Sequence, residues 1–63
     1  MRNIEVKDVV KFNVEGENKI GTIVWKNNKI VIAKCIGSGR EYSLHVSEVM
    51  KLSVTENFVR NLT

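Results

Sequence analysis

Ile20-Gly21-Thr22-Ile23-Val24-Trp25-Lys26, then Asn27-Asn28, then Lys29-Ile30-Val31-Ile32-Ala33-Lys34-Cys35-Ile36 decides the fold. Two runs of β-branched and aromatic residues meet at a pair of turn formers. β-branched side chains are stiff at χ1 and suit a pleated surface better than a helix. Asn tolerates positive φ, so Asn27-Asn28 reads as a two-residue hairpin turn. Gly21 inside the first run marks a bulge or a close backbone approach. The second run is apolar on both faces except at Lys34, as expected of an interior strand.

Outward from this hairpin the same grammar continues. Val9 to Val14 alternates, with Val10, Phe12 and Val14 on one face and Lys11 and Asn13 on the other. Glu15-Gly16-Glu17-Asn18 is an acidic turn, and Gly37-Ser38-Gly39 a second hairpin turn. Arg40 to His45 reads as a fourth strand with Tyr42 and Leu44 on one face. Val46 to Val49 is a single helical turn. Met50 to Val54 is a fifth strand that directs Met50, Leu52 and Val54 one way. Thr55 to Leu62 is helical, either with a Ser53–Glu56 capping box or with Thr55 as N-cap and Val54 stapled to Val59. A helix of about eight residues does not hold alone, so it docks on the strands or on a partner.

The composition agrees. Ten Val and six Ile stand against three Leu, with no Pro, four Gly and seven Asn, in 63 residues. This is a small all-β fold: a five-stranded barrel over 1–54 with a short C-terminal helix over 55–63. Alternatives are an OB-like barrel, or a sheet finished only by dimerisation through Met50 to Leu62. A chain this short buries only about 60% of its unfolded surface, so homodimers are an expected option. It is too short for a nucleotide-binding α/β sheet or a TIM barrel.

Lys7-Asp8-Val9-Val10-Lys11-Phe12, Ile20-Gly21-Thr22-Ile23-Val24, Ile30-Val31-Ile32, Tyr42-Ser43-Leu44 and Ser47-Glu48-Val49-Met50-Lys51-Leu52 together resemble the SH3-like barrels of the KOW and Tudor-like kind. The resemblance covers about residues 6–54. Lys7 stands where those barrels usually carry Gly before the Asp. Size and richness in Lys, Asn and Ile are similar to those of small bacterial and phage proteins. Type II dihydrofolate reductase is another short SH3-like barrel, but its Val-Gln-Ile-Tyr run has no counterpart in Glu41-Tyr42-Ser43-Leu44-His45.

Charge is segregated. Lys19, Lys26, Lys29, Lys34 and Arg40 lie between positions 18 and 40 with no acid among them, so this third carries +5 and the remainder −2 of a net +3. One hairpin unit then presents a positive field that follows a phosphate backbone without reading bases. The plain alternative is that these lysines only keep the protein soluble. Trp25 is directed to the core by the two-residue period from Ile23. Its alternative role is a partly exposed platform on which bases of a nucleic acid stack.

No catalytic constellation is visible. His45 has Glu41 and Glu48 near it in sequence but no nucleophile, and reads as a solvent-facing strand end. Cys35, the only cysteine, excludes an internal disulfide and a multi-cysteine zinc site. Its apolar neighbours point to packing as a reduced thiol, and so to the cytoplasm. No apolar run suits a signal peptide or a membrane span. The expectation is a non-enzymatic module without metal or cofactor, binding nucleic acid through Lys19, Trp25, Lys26, Lys29, Lys34 and Arg40. The alternative is a protein-interaction or assembly module of the phage accessory type, using the stripe Phe58, Val59 and Leu62.

Overall fold

A computed structural model describes residues 4–62, with the side chains of 56, 60 and 62 outside the description. Five strands form one antiparallel sheet: β1 (Val9–Val14), β2 (Glu17–Lys26), β3 (Ile30–Cys35), β4 (Glu41–His45) and β5 (Val49–Lys51). A 3-10 turn (Val46–Glu48) links β4 to β5, and helix α1 (Glu56–Leu62) ends the chain. The sheet order is β4-β3-β2-β1-β5. The all-β five-stranded fold with a short C-terminal helix is therefore the fold observed, and all five strands come from one chain.

The sheet curls on itself. Val10, Phe12, Ile23, Val31, Ala33, Leu44 and Val49, drawn from all five strands, join Ile4 in one buried cluster. Val10 and Val31 are 0% exposed. A single flat layer cannot exclude water so completely from one of its faces. In a flat sheet β4 and β5 would also stand about 19 Å apart.

Local chemistry explains the turns. Glu15 and Gly16 adopt φ of +52° and +84°, which closes a two-residue hairpin. Glu17 and Asn18 consequently join the ladder opposite Val14 and Asn13, so β2 begins earlier than the expected Ile20. The Asn27-Asn28 turn uses no positive φ. Instead the Asn27 Oδ1 accepts hydrogen bonds from the Lys29 and Ile30 backbone N–H groups, at 2.8 and 2.6 Å. The side chain imitates a backbone turn, the other known use of Asn in this setting.

Two strand parities differ from expectation. In β5, Val49 is buried opposite Phe12, while Met50 faces out and is 53% exposed. Val49, Met50 and Leu52 are all apolar, so alternation alone does not choose between the two registers. Pairing with β1 chooses. In β2, Ile23 faces Ala33 but Trp25 faces Ile32, so Val24 is an extra residue in a β-bulge. The bulge lies at Val24 and not at Gly21, which instead marks the close backbone approach.

Thr55 caps α1: its Oγ1 accepts from the Phe58 N–H at 3.2 Å, the arrangement that sets Val54 and Val59 as staple positions. Val59 is buried within the single chain while Phe58 is 53% exposed. The apolar stripe is thus divided between burial and solvent, and the Leu62 side chain lies outside the described residues.

Before β1, Glu5 to Asp8 form a tight turn. The Asp8 N–H donates to the Glu5 carbonyl at 3.1 Å, and the Asp8 carboxylate accepts from the Glu5 N–H at 2.8 Å. Lys7 takes φ of +80° there, a conformation that favours glycine. Lys7→Gly is accordingly expected to raise stability by about 0.5–1 kcal/mol, the left-handed cost minus the larger entropy Gly loses on folding. Lys7→Val, β-branched, should lower it. Urea midpoints of both variants check the sign.

Candidate nucleic-acid interface

The bulge at Val24 determines which side chains β2 offers to solvent. Without it, Trp25 would stand opposite Val31 in the core and Lys26 opposite Ile30. With it, Trp25 pairs with Ile32 on the outer face, and Lys26 pairs with the buried Val31. Val24 and Trp25 are 40% and 47% exposed. Leaving about half of an indole in water forgoes about 2–3 kcal/mol of burial. Trp25 is therefore a surface residue, resolving the choice between core and platform in favour of exposure.

Around Trp25 the outer face is built by register. Ile32 lies opposite it, and Lys34 lies two positions further along β3, on the same face. Lys34 is itself flanked by Thr22 on β2 and Glu41 on β4. A shallow groove continues this face, lined by Thr22, Val24, Lys34, Cys35, Ile36 and Gly37 among others. Lys29 lies in the β2–β3 turn and Arg40 just after Gly39, at opposite ends of β3. Both are exposed, and among the described residues neither they nor Lys34 forms an ion pair.

The other two expected cations are placed differently. Lys26 turns to the inner side of the sheet, where its Nζ donates to the Ile4 carbonyl at 3.1 Å and bridges Glu5 at 3.2 Å. It clamps the N-terminal segment whose Ile4 side chain enters the core. Lys19 lies opposite the buried Phe12, pairs with Glu17 at 3.5 Å, and sits 5.8 Å from the centre of the Tyr42 ring. Seven strand positions separate Lys19 from Lys26, about 23 Å. The five cations do not converge on one face. Trp25 and Lys34 share one, Lys29 and Arg40 flank it, and Lys19 and Lys26 are engaged elsewhere.

His45 and Cys35 have structural work. His45 is the N-cap of the 3-10 turn: its Nδ1 accepts from the Ser47 N–H at 3.2 Å, and Glu48 Oε1 accepts from the His45 N–H at 2.9 Å. Glu48 therefore holds backbone, not the imidazole ring. Cys35 is half-buried opposite Gly21, and its thiol points at the Ile36 carbonyl at 3.7 Å. The β3–β4 register sets Cys35 and His45 five positions apart, about 17 Å, which is too far for a catalytic pair. Among the described residues no three of His, Cys, Asp and Glu gather as metal ligands. Among them, too, no helix is long and apolar enough to cross a membrane.

Sequence reasoning missed the bulge at Val24, and no local signal marks it. The run Ile23-Val24-Trp25 reads equally well as an unbroken strand. No family model, curated protein or solved structure matches this chain.

Proposed function

We propose that this chain is a small non-enzymatic binding module, an SH3-like barrel that takes single-stranded nucleic acid along the outer face of β2 and β3. A base stacks on Trp25, and Lys29, Lys34 and Arg40 hold phosphates without reading sequence. The observation that supports this most is the half-exposed indole beside Lys34, on a face where burial would have been the more stable choice. The net charge of +3 favours a polyanion. The free thiol of Cys35 fits a reducing compartment such as the cytoplasm.

Titration of Trp25 fluorescence with single- and double-stranded DNA and RNA tests this reading. Three phosphate contacts predict a slope of about −2 in log affinity against log salt for a single strand. Affinity should then fall about twentyfold between about 50 and 200 mM salt. Trp25→Ala should weaken binding by about 1–3 kcal/mol, the contribution of one stacked base, without loss of fold. Absence of binding to any of these at about 50 mM salt eliminates the reading.

A second reading, a protein-interaction or assembly module acting through α1, is favoured by the exposed Phe58 ring. Phe58→Ser separates the two. It leaves the nucleic-acid titration unchanged under the first reading and abolishes partner capture under the second.

A further inference from the structure

Strand β4 is an edge of the sheet, and among the described residues it pairs only with β3. Two bonds fix which of its backbone groups are used. The Cys35 N–H donates to the Arg40 carbonyl at 2.7 Å, and the Val46 N–H donates to the Lys29 carbonyl at 2.8 Å. Hydrogen-bonded pairs alternate along an antiparallel ladder. Tyr42 and Leu44 therefore bond to β3, while Glu41, Ser43 and His45 turn their N–H and C=O groups to the open side. Of these, the His45 N–H is held by the Glu48 carboxylate and the His45 carbonyl accepts the first bond of the 3-10 turn, while no partner is seen among the described residues for the groups of Glu41 and Ser43.

Natural sheet edges are commonly blunted by lysine, proline or a bulge. Glu41-Tyr42-Ser43-Leu44-His45 has no lysine or proline, and it pairs with β3 in unbroken register. It is also its own complement. Laid antiparallel against itself about Ser43, it sets Ser43 opposite Ser43, Tyr42 opposite Leu44 and Glu41 opposite His45. The outer-face row then runs Lys34, Glu41, the second copy's His45 and the second copy's Ile30, so the carboxylate of Glu41 stands between a cation and an imidazole. Charge and apolar positions both match without a change in either strand.

We propose that two copies of this chain pair antiparallel along β4, centred on Ser43, as a two-fold dimer with one sheet continuous through both. The Ser43 N–H and C=O groups bond to their counterparts, and each Glu41 N–H donates to the second lone pair of the other copy's His45 carbonyl, the first being taken by the 3-10 turn. The β4 edge adjoins the face that carries Lys34 and Trp25, but the pairing uses β4 backbone groups, so sedimentation of the dimer and titration of Trp25 test the two proposals separately.

Sedimentation equilibrium of the full chain from micromolar to millimolar concentration tests it, with amide exchange at Glu41 and Ser43 as a second readout. A dimer at the upper end, with both amides slowed as concentration rises, is the expected result. Ser43→Pro removes an N–H that the β3–β4 ladder does not use, in a position where edge strands accept proline. It should give a monomer with the far-ultraviolet circular dichroism of the parent. Should proline perturb the strand, Glu41→Lys keeps every backbone bond but sets lysine beside Lys34 and His45. It should weaken dimerisation about tenfold. A chain that is monomeric at millimolar concentration, a dimer that a folded Ser43→Pro variant leaves intact, or assembly beyond a dimer would each overturn the proposal.

Discussion

Gly21→Ala is expected to unfold this protein, or to leave it barely folded. Gly21 lies in the middle strand of the sheet, opposite Val10 of β1 on one side and Cys35 of β3 on the other. A Cβ there would stand 2.5 Å from the Lys34 carbonyl oxygen and 2.9 Å from its carbon. Both are backbone atoms of a strand bonded on each of its sides, so relief means breaking a ladder. The requirement is for space and not for an unusual φ, which separates Gly21 from the turn glycines. Forcing a methyl group into such a contact costs about 3 kcal/mol or more. The whole stability of a small domain is about 5 kcal/mol. Urea denaturation followed by far-ultraviolet circular dichroism measures it, and a variant within about 1 kcal/mol of the parent would show that the strands separate more easily than this packing implies.

Phe12→Ala should cost about 3–5 kcal/mol, the usual range for removing a buried ring. Phe12 is 2% exposed, stands opposite Val49 and Lys19, and lies 5.7 Å from the Tyr42 ring at an interplanar angle of 55°. It is the largest buried side chain in the cluster that joins all five strands. Its loss leaves a cavity between β1, β4 and β5, where no second core can compensate. Phe12→Leu keeps most of the volume and should cost only about 1.5 kcal/mol. The contrast separates cavity formation from loss of the aromatic pair, and Tyr42 ring shifts report on the pair directly. Circular dichroism is the suitable probe for both series, because the exposed Trp25 senses little of the core.

Much of the architecture is legible in local patterns. Val10, Phe12 and Val14 alternate with Lys11 and Asn13 across β1, and the structure buries the first two as alternation requires. The 3-10 turn falls within the expected Val46–Val49, and Thr55 is the helix cap. Legibility fails where two readings have equal local merit. Met50 and Val49 are both apolar, and only pairing with Phe12 decides which enters the core. Asn27 suits a positive-φ turn and an Asn side-chain turn alike, and the structure uses the second. Lys7 shows no local sign of the left-handed conformation that its place between Ile23 and Asp8 imposes.

Composition and alternation by themselves established an all-β chain of five strands, the sidedness of β1, and a central segment rich in cations and free of acids. Only the tertiary structure decided where those cations went and which way Trp25 faces. The reason is that strand parity accumulates along the chain. A single additional residue at Val24 inverts every later position of β2, sending the indole outward and the Lys26 ammonium inward to Ile4 and Glu5. Its neutralising partner comes from a segment remote in sequence, so no count of charges within the hairpin reveals it.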